Sequence, residues 1–395
     1  MTNFLKRTWV EINLDNIKYN YEKIKSRIND NVKIMCVIKA DAYGHGAEFL
    51  AKEYSRLGAD WFAVSNIDEA IQLRTAGIAE PILILGYTPV EMTDYLLNFN
   101  ITQAVFSEEY AIQLSSMAQK FGTKLNIHIK LDTGMSRIGL LCHNEKTCID
   151  AINICERIHN MNGLNVQGIF THFAISDNGN EGIDFTNAQF EKFKFVVDGV
   201  KKKNIEIPLC HCCNSGGIVD YPHMHMDIVR AGIILYGLMP SSNTNNKLNL
   251  KPAMQLKTVI SQIKNIEKNT RVSYGGTYIA KDNIRIATIP IGYADGYSRS
   301  FSNKSSMLVC GKRANVIGRV CMDQLMLDVT NISEAKEGDV VTVFGEDLNN
   351  KITVEELAAL SNTIGYEIIC LIGKRVPRIY YKDGQIVGRL NYICR

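Results

Sequence analysis

Lys39 closes an almost unbroken apolar run, Val32 to Ile38, and is followed by Ala40-Asp41-Ala42-Tyr43-Gly44-His45-Gly46. A run that short and that apolar reads as a strand buried on both faces. A lysine rising from such a strand is partly desolvated, which favours its free amine, the nucleophile of Schiff-base chemistry. Alone, a strand-end lysine is ordinarily a solvated charge. Other apolar runs, however, end in residues of the same kind. Lys130, Asp132 and Arg137 follow one, Thr171 and His172 a second, Asn214 and Ser215 a third, and Arg230 a fourth. Asn214-Ser215-Gly216-Gly217 and Arg230-Ala231-Gly232-Ile233 have the composition of turns whose backbone N–H groups bind phosphate. Tyr274, in Val-Ser-Tyr-Gly-Gly-Thr-Tyr, sits on a glycine-rich turn that can project a phenol as acid or base, although a half-buried hairpin tyrosine explains the spacing equally well.

The elements needed to position these residues can be read from periodicity. Apolar runs at Val32–Ile38, Trp61–Val64, Ile82–Leu85, Thr102–Phe106, Leu125–Leu131, Val166–Phe170, Pro208–Cys212 and Ile228–Val229 alternate with helix-period segments such as Asp68–Ala76, Glu108–Phe121, Cys148–His159 and Phe185–Val200. Eight such units predict an α/β fold, a (β/α)₈ barrel of the TIM type, over residues 1–240. In that fold chemistry belongs at the C-terminal ends of strands, and the unusual polar residues do collect there. Thr8–Leu14 reads as a strand and loop before a helix capped by Asp15, and these first residues can pair with a second domain. Near Pro240 the texture changes to Ser-Ser-Asn-Thr-Asn-Asn, and residues 241–395 read as a mostly β domain. Its expected strands are Thr258–Ile263, Arg285–Pro290, Met307–Cys310, Leu325–Val329 and Asp339–Phe344, with one helix, Val354–Asn362.

Composition excludes several classes of function. The 395 residues carry a net charge of +3 with both signs interspersed, so nothing points to nucleic acid or a membrane surface as partner. The eleven cysteines are an odd number and no signal peptide precedes them, which favours reduced thiols in a cytoplasmic protein. Cys210-His211-Cys212-Cys213 lacks the paired Cys-x-x-Cys spacing of a zinc site. No metal is expected, and Cys210 and Cys212 are expected to pack on one strand face.

The segment Lys39-Ala-Asp-Ala-Tyr-Gly-His-Gly46 resembles the alanine racemases, fold-type III enzymes that use pyridoxal 5'-phosphate (PLP), and the resemblance covers both domains. It implies that Lys39 holds the cofactor as a Schiff base and that Tyr43, Ser215, Gly232 and Ile233 contact its phosphate. It assigns Arg230 to the pyridine nitrogen and His172 to a hydrogen bond that orients Arg230. Lys130-Leu-Asp-Thr-Gly-Met-Ser-Arg137 resembles the segment in which the lysine is often carbamylated and the arginine contacts cofactor and substrate carboxylate. Ser136 stands where glycine is common, with little expected consequence. Tyr293 in Ile-Gly-Tyr-Ala-Asp-Gly, and Met322 with Asp323 in Cys-Met-Asp-Gln, resemble the lining of the substrate mouth, and Arg299 and Arg319 its access corridor.

By the same resemblance the chain racemises alanine as a cytoplasmic homodimer and supplies D-alanine as a peptidoglycan precursor. Two bases, Lys39 and the partner subunit's Tyr274, work on opposite faces of Cα. An arginine cannot protonate the ring nitrogen, so the ring is a weaker electron sink and the reaction is biased towards proton removal and return. The sequence departs from the family at Lys374, where many members have a tyrosine. A cofactor role remains open to Lys374 as a cation near the phosphate, and the departure admits serine or a basic amino acid as substrate. A fold-type III decarboxylase would resemble neither the Arg230 nor the Tyr274 segment. A carrier without turnover would have no use for the second domain.

Overall fold

The structure, a computed structural model, describes Phe4 and residues 6–394. Contacts divide the chain into two compact units, one of Lys18–Ala42 and Ala47–Lys251, the other of Met1–Ile17, Tyr43–Gly46 and Pro252–Arg395.

The first unit is built on eight parallel strands: β1 (Lys33–Val37), β2 (Trp61–Val64), β3 (Ile82–Ile84), β4 (Thr102–Val105), β5 (Leu125–Asp132), β6 (Leu164–Phe170), β7 (Leu209–His211) and β8 (Ile228–Ala231). From β1 to β7 each strand pairs with the next in order, and β8 pairs with β1, with Arg230 opposite Met35 and Ala231 opposite Cys36. Between β7 and β8 the ring is completed by amides of Asp227 and Arg230 donating to carbonyls of Cys210 and Cys213 at 3.1 and 3.0 Å. The apolar runs form strands because both faces are covered. Met35, Phe62, Leu83, Val105, Ile129 and Ile169 have no exposed surface, and each such side chain contributes about 1.5–3 kcal/mol of burial. A TIM-type barrel is therefore the architecture, as the periodicity predicts.

Helix Leu14–Lys25 begins one position before the expected cap. Asn13 Oδ1 accepts from the amides of Asp15 and Asn16 at 2.9 and 3.0 Å, so Asn13 caps the helix and Asp15 lies in its first turn.

The second unit is mostly β. Strand Thr8–Asn13 lies between Met254–Val259, to which it is antiparallel, and Arg378–Lys382, to which it is parallel. The expected strand Thr258–Ile263 is interrupted at Ile260–Ser261. Residues up to Val259 pair with Val340–Asp347, whereas Gln262–Ile266 pairs with Ile284–Ile289. The single expected helix is two, Val354–Leu360 and Gly365–Cys370. Asn362 takes a left-handed φ of 54° and the Thr363 amide returns to the Ala358 carbonyl, which ends the first helix.

Candidate active site

Lys39 leaves β1 directly after Ile38, and the next four residues do something L-amino acids rarely do. Ala40, Asp41, Ala42 and Tyr43 all have φ between 51° and 55°. A left-handed conformation costs roughly 1–2 kcal/mol per residue, so the surroundings must hold it. Glu69 does so from outside, accepting from the amides of Ala40 and Ser65, both at 2.7 Å. Asp41 Oδ1 closes the turn on the Ala47 amide at 2.9 Å.

Arg230, at the end of β8, is buried among neutral acceptors. Its Nη1 donates to His211 Nδ1 at 2.9 Å, and its Nη2 to the carbonyls of Thr171 and Cys212 at 2.8 and 2.9 Å and to His172 Nδ1 at 3.3 Å. The guanidinium has no acceptor, so both histidines must present unprotonated Nδ1 atoms. His211 Nε2 then carries the proton and donates to His128 Nδ1 at 2.9 Å. Burial, then the charge of Arg230, holds all three imidazoles neutral, with His128 lowered to about 3. Burial likewise lowers Arg230 to about 10, which leaves it charged at neutral pH. No protein atom accepts from its Nε–H among the described residues.

The expected orienting residue, His172, is present, but His211 is the nearer ring and carries the chain onward. The Cys-His-Cys-Cys pattern hid it, because that pattern raises only the question of a zinc site and, with zinc set aside, suggests no other role. His128 did leave a signal in the sequence. It lies two residues before Lys130 on β5 and so shares its face. Room for its ring comes from Gly168, where a Cβ would stand 2.7 Å from the imidazole.

Lys130 projects beside this chain. Its Nζ is buried, lies 4.9 Å from the Phe170 ring centre, and has no hydrogen-bond partner among the described residues. Burial first, then Arg230 and Arg137, pushes its pKa well down, which favours the neutral amine. Phe170 is the common floor, stacked on His211 at 4.8 Å and with Arg230 5.4 Å above it. Asp132 organises the loop to the exposed Arg137 by accepting from the amides of Gly134 and Ser136, both at 3.0 Å. Burial would raise this carboxyl, but those amides and His143 bring it below its ordinary value. Ser136 has φ 56°, so the residue in place of glycine carries a backbone cost.

Ser215 and Gly232 are brought together, with the Gly232 amide 3.1 Å from Ser215 Oγ and Ile233 next in chain. Asn214 serves as a cap. Its Oδ1 accepts from the Gly217 amide and Ser176 Oγ at 2.9 and 2.7 Å, and its Nδ2 donates to the Phe173 carbonyl.

The remaining candidates belong to the second unit. Tyr43 is buried, its phenol pushed up by burial and its ring 6.0 Å from that of Tyr366. The turn it starts is clamped: Arg378 Nε donates to the Gly44 carbonyl at 3.0 Å and Tyr380 Oη to the His45 carbonyl at 2.9 Å. Tyr274 is 72 % exposed, thrust out by Ser273 at φ 63° and by Gly275 and Gly276, both left-handed. Tyr293, Met322 and Lys374 also face solvent, while Asp323 Oδ1 accepts from Arg375 at 2.6 Å. Arg319 lends its carbonyl to Ser273 Oγ, and Arg299 sits in a short 3₁₀ turn.

Two family models match the chain, the alanine racemase N-terminal domain over residues 12–240 and the alanine racemase C-terminal domain over residues 253–380. Alanine racemase 1 of Clostridium acetobutylicum is 43% identical over 394 residues, covering 100% of both chains. Alanine racemase of Clostridium perfringens is 45% identical over 390 residues, covering 98% of this chain and 99% of the relative. Among solved structures, alanine racemase of Clostridium difficile in complex with cycloserine matches with a TM-score of 0.91 at 38% identity, covering 99% of this chain and 100% of that one. That of Bartonella henselae with covalently bound pyridoxal phosphate matches with a TM-score of 0.84 at 27% identity, covering 95% and 99%. With both halves of the chain matched and relatives aligned end to end, this chain belongs to the alanine racemase family.

Proposed function

We propose that this chain interconverts L- and D-alanine with PLP as cofactor, removing the Cα proton on one face and returning a proton on the other. The observation that carries the reading is Arg230: a buried cation with an Nε–H left over for an external acceptor suits the nitrogen of a pyridine ring. The residues present fit the cofactor in other respects too. Lys39 follows β1, the strand paired with β8 that carries Arg230, and Ser215, Gly232 and Ile233 form a turn suited to a phosphate.

When bound, PLP withdraws electron density from Cα and makes its proton removable. Arg230, held by His211 and His172, keeps the acceptor nitrogen unprotonated and so restrains that withdrawal. Lys39 takes or gives the proton on one face. Tyr274 does so on the other, reaching the site from the second protomer of a homodimer, a role its projecting ring suits. The Met322 N–H and Arg137 hold the substrate carboxylate, with Tyr293 and Asp323 shaping the mouth. Lys130, as a buried amine whose neutral form is favoured, is suited to carbamylation, which would convert it to an anion facing Arg137. Among the described residues no helix is long and apolar enough to cross a membrane, and we assign the protein to the cytoplasm.

A second reading, racemisation of serine or a basic amino acid, is favoured by one observation, the exposed Lys374. Chiral chromatography after incubation with PLP and single L-amino acids separates the two. Rapid D-alanine supports alanine, dominant D-serine or a basic D-amino acid supports the second reading, and no D product with PLP retained overturns both.

A further inference from the structure

Asp295 is the most heavily hydrogen-bonded buried carboxylate of the second unit, and no catalytic role accounts for it. Its side chain has no exposed surface. Oδ1 accepts from Arg7 Nη1 at 3.1 Å and Arg375 Nε at 2.8 Å. Oδ2 accepts from Arg7 Nη2 at 3.3 Å, Arg375 Nη2 at 3.1 Å and the Gly292 amide at 3.0 Å. Two forked guanidiniums thus grip one carboxylate, an arrangement that fixes orientation as well as distance. The second cation is balanced at the rim, where Arg375 Nη2 also donates to Asp323 Oδ1 at 2.6 Å and Arg7 Nη2 to the Asp323 carbonyl at 3.4 Å.

This cluster ties three loops together. The Asp295 carbonyl accepts from the Gly373 amide at 2.9 Å, and the amides of Tyr293 and Ala294 donate to the carbonyls of Cys321 and Met322, both at 3.1 Å. The loops meet so closely that a Cβ on Gly292 would stand 2.3 Å from both of those carbonyl oxygens. Each loop presents an exposed side chain beside the cluster, among them Tyr293 from the first, Met322 from the second and Lys374 from the third. An ion pair that merely held a core together would have no reason to join these three segments.

We infer that Asp295 is a positioning residue for substrate: through Arg7 and Arg375 it sets the spacing of Tyr293, Met322 and Lys374, and with it the size of amino-acid side chain that the mouth admits. The inference rests on the assignment of Tyr293 and Met322 to the substrate mouth and on Lys374 as the departure that admits other substrates. Asp295 touches no substrate itself; it acts through the loops. Their displacement by about 1 Å is enough to cost a large factor in binding or rate.

The test uses the full-length PLP-loaded enzyme with Arg375→Lys and Arg7→Gln, on partly exposed arginines, alongside Asp295→Asn, which alone is at risk of misfolding. In Arg375→Lys, hydrogen exchange of residues 291–297, 320–324 and 371–376 should quicken together. KM for L-alanine should rise about tenfold with kcat within about twofold, and kcat/KM for L-serine relative to L-alanine should increase. PLP retention should be unchanged. Three segments that keep their protection, or losses confined to kcat or to PLP retention, overturn the inference. A wild-type enzyme that racemises no amino acid overturns the proposed function instead, and exchange of the three segments then decides separately whether Asp295 holds them.

Discussion

His211 Nδ1 accepts a hydrogen bond from Arg230 at 2.9 Å, and both side chains are buried. Replacing His211 by leucine would leave a buried guanidinium donor without its acceptor, which costs about 1–3 kcal/mol. His211→Gln, whose amide oxygen can accept, should recover much of that loss. Urea unfolding of the PLP-loaded protein compares the two. Equal stability of His211→Leu and wild type would show that the bond holds nothing.

The neutral histidines set an acid limit. His128 and His211 are lowered when folded, by burial first, and titrate near 6.5 when unfolded. Between those values the unfolded chain binds more protons, so stability rises with pH: the contribution is fully present above about 6.5 and is lost as pH falls towards about 3, the folded value of His128. Two such groups give a slope of up to about 2.7 kcal/mol per pH unit. Unfolding free energies at pH 7.5, 6.5 and 5.5 and fixed protein concentration should decline accordingly, and less steeply in His128→Gln. A flat profile would contradict the burial of neutral rings.

Lys130 should respond to carbon dioxide. A neutral amine reacts with it to form a carbamate, whereas an ammonium does not. Lys130 is buried, shifted towards the neutral form and without a hydrogen-bond partner among the described residues. Activity in carbon-dioxide-free buffer should fall and return with bicarbonate, and ¹³C-bicarbonate should give a carbamate NMR signal absent from Lys130→Ala. No signal in the wild type would leave Lys130 a simple amine over Phe170.

Tyr274 offers a test of shared sites. Lys39→Ala and Tyr274→Phe should each be inactive or nearly so. In a two-fold dimer, mixed and re-equilibrated subunits rebuild one complete site in each heterodimer, about a quarter of the wild-type site count. Recovered activity near that level supports a tyrosine supplied by the second protomer. No recovery, with heterodimers shown to form, places both bases in one chain.

Much of the barrel and its mouth was legible because the signals are local. An apolar run followed by Lys39, or by Asn214 and Ser215, is contained in a few residues. What escaped depends on distance along the chain or on competing local explanations. His211 was masked by its cysteines. Asn13 was overlooked as a cap because Asp15 is as good a capping residue two positions on. The break at Ile260–Ser261 leaves no mark, since both halves alternate as strands do. Asp295 reads as a turn aspartate. Its partner Arg7 lies 288 residues earlier, and no periodicity connects them.

The placement of strand Thr8–Asn13 also bears on how the protein is made. Thr8 and Thr258 share a hydrogen bond across 250 residues, and the strand's other neighbour, Arg378–Lys382, is synthesised only after the whole barrel sequence. The strand therefore leaves the ribosome with both edges unpaired and stays so while the barrel sequence is translated. An unpaired edge is a template for mispairing with other chains. Messages truncated before residue 378 should yield aggregating chains even though every barrel strand is complete, and slow translation of the codons for residues 254–382 should lower the soluble yield.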